Sequence, residues 1–138
     1  MSYLDALQMT LAAEHASVFV LGYLGAQTSA SGEPRLYASL REAYDVHRSR
    51  RDQLVTRVLD AGGELVAAAA SYELEEVAGI SARINERALR LERDCGETYG
   101  FLVANSPSEE RRWAIDALLD TAQRELGFGG EPRTYPGR

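Results

Sequence analysis

The stretches LAAEHA (residues 11–16) and HRSRRD (residues 47–52) put polar side chains at positions where a helical pattern requires apolar ones. They also contain both histidines of the chain. The inward positions of the first segment are otherwise apolar, and the same spacing reaches Glu14; they are Leu4, Leu7, Leu11, Val18 and Leu21. Because a carboxylate removed from water needs a partner, the pattern predicts a polar cluster inside the protein.

Start and stop signals predict a first helical hairpin. Ser2 followed by Asp5 is typical of a capping box, so we expect a first helix over residues 3–28. Pro34 suits the first turn of a second helix, which Gly62 ends after about residue 61. The two helices are expected to run antiparallel.

The second half of the chain predicts another hairpin and a tail. A helical stripe begins near residue 79 and includes Cys95, Thr98 and Leu102. Ser106 is the expected N-cap of a fourth helix that has Pro107 at its first position and ends near residue 126. We therefore predict an all-α four-helix bundle over residues 1–126 and an irregular C-terminal tail over residues 127–138.

The connection between the second and third helices is long and weakly patterned. A helix of about 27 residues is about 40 Å long, and about 16 extended residues reach about 50 Å. The connection can therefore cross the whole bundle, which makes the third helix parallel to the second.

The hairpin predicts which polar side chains meet. Glu14 lies about 17 residues before the middle of the first turn, and His47 lies about 16 residues after it. Equal distance from the turn means equal height in an antiparallel hairpin, so these two side chains should face each other. Tyr44 and Arg51 lie one turn to either side of His47, and the four residues form the expected polar core cluster.

This layout resembles ferritin-like four-helix bundles, in which two hairpins joined by a long crossover carry inward carboxylates and histidines. More narrowly, the LAAEHA and HRSRRD motifs resemble a ferritin-like family of undefined function that is common in GC-rich bacteria. The resemblance covers the full length in helix layout. It implies the fold and no known activity.

The resemblance implies a set of metal ligands that this chain only partly matches. Ferritin-like sites take one Glu from each of two helices and a Glu-x-x-His from each of the other two. Glu14 and His47 fit, but Tyr44 stands at a Glu position, and the fourth helix has no histidine. Arg51, which is always charged, opposes a bound cation. We therefore expect no cofactor, and a non-enzymatic structural or interaction module whose ancestral di-metal site has become a buried polar network.

An alternative keeps a metal. The protein would then be a metal-binding or oxidoreductase-like protein with an incomplete iron or manganese site at Glu14 and His47, supplemented by Glu92 or Asp120. A pocket for a small molecule lined by the polar cluster also stays open, with no indication of the ligand. No nucleophile elbow, phosphate loop or dinucleotide motif supports an ordinary enzyme.

Composition restricts partners and location. The net charge of −6 disfavours binding to nucleic acid or to an anionic membrane. No signal peptide or membrane span is recognisable, so we expect a cytoplasmic protein.

Cys95 is expected in the core. Residues 18–24 are apolar nearly all round, so either the crossover covers their second face or the chain forms a homodimer through its first hairpin.

Overall fold

A computed structural model of the protein describes all residues from Met1 to Arg138. It has four helices and no strand: α1 (Tyr3–Ala26), α2 (Pro34–Asp60), α3 (Ser81–Asn105) and α4 (Ser108–Gly127). The prediction of an all-α four-helix bundle is confirmed. No helix combines the length and the apolar character that crossing a membrane requires.

The ends of the first hairpin follow from local chemistry. The Ser2 hydroxyl accepts from the Asp5 amide and the Asp5 carboxylate accepts from the Ser2 amide, which forms a capping box at the start of α1. Pro34 is the first residue of α2. Gly62 follows the end of α2 with φ +80°, a conformation that strains any residue with a Cβ.

The start of α4 differs from the prediction by one residue. Ser106 is buried, and its hydroxyl donates to the Leu102 carbonyl in the last turn of α3. It therefore caps nothing in α4, whose N-cap position belongs to Pro107. Because the hydroxyl is hydrogen-bonded within the last turn of α3, it does not cap α4.

Contacts at the two ends of the bundle fix the helix directions. α3 begins beside the turn between α1 and α2, where the Ser81 hydroxyl donates to the Glu33 carboxylate. At the other end, Glu110 near the start of α4 pairs with Arg57 near the end of α2. The third helix is therefore parallel to α2, as predicted, and α4 is antiparallel to it. α1 packs against both α2 and α3.

The crossover between α2 and α3 lies along the outer side of α1. The Val66 amide donates to the Gln8 side chain at 3.1 Å, and His15 Nε2 lies 3.2 Å from the Val66 carbonyl. Farther along, the rings of Phe19 and Tyr72 are 5.3 Å apart between centroids. The crossover thus covers part of the second apolar face of α1, which is one of the two explanations expected from the sequence, while Phe19 remains 40% exposed.

The C-terminal tail is irregular but docked onto the bundle. Phe128 is buried in the core, and the Arg133 guanidinium donates two hydrogen bonds of 2.9 Å to the Glu125 carboxylate. Gly137 lies against Gly96 of α3, where a Cβ on Gly137 would come within 2.8 Å of the Gly96 carbonyl. Side-chain hydrogen bonds and close backbone packing therefore anchor the tail.

Candidate functional site

A buried histidine held between two carboxylates lies at the centre of the bundle. His47 Nδ1 is 2.8 and 3.0 Å from the two oxygens of Glu14, and His47 Nε2 is 2.8 Å from Glu92 Oε1. All three residues have 0% exposure. α1, α2 and α3 each supply one member, so the cluster joins three helices at one height.

The two carboxylates keep His47 protonated. Burial alone would lower the pKa of the imidazole, because a charge is costly away from water. The charges and hydrogen bonds of Glu14, followed by those of Glu92, outweigh burial and raise the pKa of His47 to about 9. At neutral pH the ring is a cation that donates from both nitrogens.

A second cation, Arg50, extends the cluster toward α4. Its guanidinium donates to the Thr121 hydroxyl at 3.1 Å and pairs with Asp120. It also lies over the ring of Tyr99, 5.4 Å from the centroid. The Asp120 carboxylate also accepts from Arg124 at 2.9 Å, so it is committed to two arginines rather than to His47.

The sequence pattern places the neighbouring Arg51 in the cluster, and that prediction is wrong. Arg51 is partly exposed and hydrogen-bonds Asp52, whereas Arg50 is 6% exposed and faces the interior. Tyr44 likewise lies outside the cluster, in an outer groove beside Arg48. The buried stripe of α2 consists of Leu40, Ala43, His47, Arg50, Leu54 and Val58. Both errors have one cause: residues three and four positions from His47 in either direction are equally compatible with its helix face. The structure buries Ala43 and Arg50, whereas the sequence prediction took Tyr44 and Arg51.

Two buried polar atoms of the cluster have no hydrogen-bond partner. They are Glu92 Oε2 and the Tyr99 hydroxyl, both fully enclosed. Burial and then the negative charge of Glu14 raise the pKa of Tyr99 well above its usual value, so the phenol stays protonated. A buried polar atom without a hydrogen-bond partner lowers the stability of the fold, so these two atoms are the least favourable part of the cluster.

Cys95 lies beside Glu14 in the core. Its sulfur lies 3.2 Å from the Ser17 hydroxyl and 3.9 Å from Glu14 Oε1. Burial, and then the charges of Glu14 and Glu92, raise the pKa of the thiol well above its usual value. A protonated, enclosed thiol is a poor nucleophile.

One set of donor atoms is compact enough to hold a metal ion. One ligand atom from each of Glu14, His47 and Cys95 lies within 4.8 Å of the others. Neither Glu92 nor Asp120, the ligands expected in the alternative from sequence, belongs to this set. Glu92 binds the opposite nitrogen of His47, and Asp120 binds arginines.

The profile of the family described as Domain of unknown function (DUF4439) matches residues 6–138. The chain belongs to this family. Among solved structures, the bundle is similar to the crystal structure of a conserved hypothetical protein, rv2844, from Mycobacterium tuberculosis. The two share 26% identity and a TM-score of 0.81, over 90% of this chain and 92% of that chain. No curated protein matches the chain.

Two members of the polar cluster, Tyr99 and Thr121, are not predicted from the sequence. Tyr99 was hidden by the choice of Thr98 as the inward position, although Thr98 is partly exposed and donates to the Asp94 carbonyl. Thr121 is hard to predict because α4 also carries larger apolar residues, of which Leu119 is 52% exposed. The spacing of small residues is the signal that could have found Thr121, because α4 buries Ala114, Ala117 and Thr121 on one face.

Proposed function

We propose that this protein is a non-enzymatic structural or interaction module of the ferritin-like type, in which a charged network replaces a metal centre. One observation carries the proposal: carboxylates engage both ring nitrogens of His47. A doubly protonated imidazole has no lone pair to give to a metal. The positive charge between Glu14 and Glu92 thus comes from the protonated ring of His47 and not from a metal ion.

The charges of the network balance without an added ion. Glu14 and Glu92 supply two negative charges, and His47 and Arg50 supply two positive ones, all in residues at most 6% exposed. The further negative charge of Asp120, at the outer edge beside Arg50, is balanced by Arg124. Removing one member of such a set leaves an uncompensated charge in the core, whereas the complete set is tolerated. We infer that the network fixes the register of α1, α2 and α3.

A di-metal centre does not fit this donor set. Such centres need inward ligands from all four helices. The carboxylates of α4 have other partners, because Asp120 is bound by Arg50 and Arg124, and the buried Glu125 is bound by Arg133 of the tail. The guanidinium of Arg50 would also repel a divalent cation at the position of the network. The residues that would form the second half of a di-metal site are therefore engaged in other contacts.

The burial of the network also opposes catalysis. The side chains of Glu14, His47 and Glu92 are inaccessible to solvent, so a substrate would reach them only if the helices separated. The protonated Cys95 thiol offers no activated nucleophile. The proposed role therefore depends on the outer surface of the bundle, with the network as its internal support.

Metal content tests this proposal. Protein purified without chelator should contain no stoichiometric iron, manganese or zinc, and ferrous or manganous salts should leave its melting temperature unchanged. His47→Gln is the control, because it removes the imidazole but keeps a polar side chain of similar reach. One metal equivalent per chain that disappears in His47→Gln would overturn the proposal.

A mononuclear metal site is the second candidate, supported by the compact set of Glu14, His47 and Cys95. A thiolate and an imidazole suit zinc better than manganese. Zinc would have to displace the protons of Cys95 and of His47 Nδ1. Saturable stabilisation by zinc that is lost in Cys95→Ser and kept in Glu92→Gln would establish this candidate.

The expected homodimer through the first hairpin stays a prediction. The crossover already covers part of α1, but Met9 and Phe19 of that helix are each 40% exposed. Exposed large apolar side chains are typical of contact surfaces when they lie together. Light scattering at micromolar concentration should give twice the chain mass of 15.2 kDa, and a monomer would contradict it.

A further inference from the structure

A groove on the outer side of the first hairpin has the dimensions of a small-molecule site. It lies between α1 and α2 near their connecting turn and encloses about 630 Å³. Sites for small organic ligands have volumes of roughly 300–1,000 Å³. The groove exists because α1 carries Gly22 and Gly25 there, and a Cβ built on Gly25 would meet no atom within 4 Å.

The wall formed by α2 alternates aromatic rings and cations. Tyr37, Arg41, Tyr44 and Arg48 follow one another at spacings of four, three and four residues, so they lie on one helix face. Leu21 and Leu40 lie at the base of the groove but are each 1% exposed, so the accessible lining comes mainly from the longer side chains of α2. The groove therefore offers two ring surfaces, two guanidinium groups and the carboxylate of Asp45.

The cations of the groove outnumber its acids. Asp45 is the one carboxylate that lines the groove and lies 3.9 Å from Arg48, whereas Arg41 pairs with no carboxylate of the chain. This positive rim stands out on a protein whose net charge is −6. Free guanidinium groups beside aromatic rings recognise planar anions by charge-assisted hydrogen bonds and by stacking.

We propose that this groove binds a small aromatic carboxylate, with the ring against Tyr37 and Tyr44 and the carboxylate between Arg41 and Arg48. The site is separate from the buried network, since none of Glu14, His47 and Glu92 lines it. It also goes beyond the structural role, because it gives the outer surface of the first hairpin a ligand of defined chemistry.

Calorimetric titration with a matched pair of probes tests the proposal. The probes are 2-naphthoate and 2-naphthalenemethanol, which share a ring system and differ in charge. We expect 2-naphthoate to bind at one site per chain and about tenfold more tightly than the alcohol, as charge-assisted hydrogen bonds imply. No saturable binding at millimolar 2-naphthoate, or equal affinity for both probes, would overturn the proposal.

Three variants locate the binding. Gly25→Leu fills the groove with a better helix former, so the fold should persist while both probes stop binding. Gly127→Leu is the matched control, because a Cβ on Gly127 at the end of α4 also meets open space. Arg41→Gln should bring the affinity for 2-naphthoate close to that for the alcohol.

Two further outcomes would contradict the proposal. Binding of 2-naphthoate that survives Gly25→Leu would place the site elsewhere. A dimer that Gly25→Leu disperses, together with absent probe binding, would assign the groove to a second copy of the chain. Circular dichroism and the melting temperature of each variant verify that the fold is retained.

Discussion

The polar cluster has an ion pair at each of its two ends, and the two pairs lie in different surroundings. At the inner end, His47 joins Glu14 and Glu92 where no solvent reaches. At the outer end, Arg50 meets Asp120, whose side chain is 35% exposed. Water can replace a lost partner at the outer end but not at the inner end, so the two pairs should contribute very differently to stability.

Removing the cation at the inner end, His47, should lower the free energy of unfolding the most. His47→Leu leaves Glu14 and Glu92 facing an apolar side chain, and loss of one partner from a buried pair costs about 3–5 kcal/mol. Urea unfolding at pH 7, followed by circular dichroism, should show this loss. An unfolding midpoint equal to that of the parent would mean that the carboxylates are not held by His47.

The inner end should also make stability depend on pH. The pKa of His47 rises from 6.5 to about 9 on folding, so the native state keeps a proton that the unfolded state loses between these values. The contribution is complete below about pH 6.5 and is lost as pH rises to about 9, with a total on the order of 3 kcal/mol.

Urea unfolding in steps from pH 6 to 8.5 measures this slope. The upper limit keeps clear of Cys95 and Tyr99, whose raised pKa values weaken the fold at higher pH as well. His47→Gln should lose most of the slope. Parallel curves for the parent and the variant would show that His47 does not take up the extra proton.

A substitution at the outer end, Asp120→Asn, should lower the free energy of unfolding the least. Asp120→Asn removes the charge but leaves an amide oxygen for Arg50, which also keeps the Thr121 hydroxyl and the ring of Tyr99. A partly exposed pair of this kind should contribute less than about 1 kcal/mol. A loss as large as that of His47→Leu would show that the outer end is as dry as the inner one.

The contact between Glu14 and His47 was predictable because it depends only on counting residues from a turn. The two side chains meet as the antiparallel hairpin requires, and the direction of α3 follows from the length of the crossover. Polar residues at inward positions stand out against leucine, so the pattern alone drew attention to them.

The identity of the second cation was not predictable from the same pattern. Arg50 and Arg51 are adjacent, and a rotation of α2 by about 100° exchanges them. In the folded bundle Arg50 is the inner arginine, and its guanidinium reaches the Thr121 hydroxyl and the Asp120 carboxylate of α4. These partners come from a distant part of the chain, so the spacing along α2 does not show which arginine is inside.

The charge-balanced network requires a doubly protonated His47, and the two ring nitrogens of this residue report its protonation state. A nitrogen-15 spectrum of the labelled protein at pH 7.5, purified without chelator, should show both ring nitrogens of His47 protonated, with N–H protons that exchange slowly with water. His47→Gln identifies the signals by their loss. A His47 ring with one unprotonated nitrogen, or a nitrogen shifted by a bound metal, would contradict the charge-balanced network.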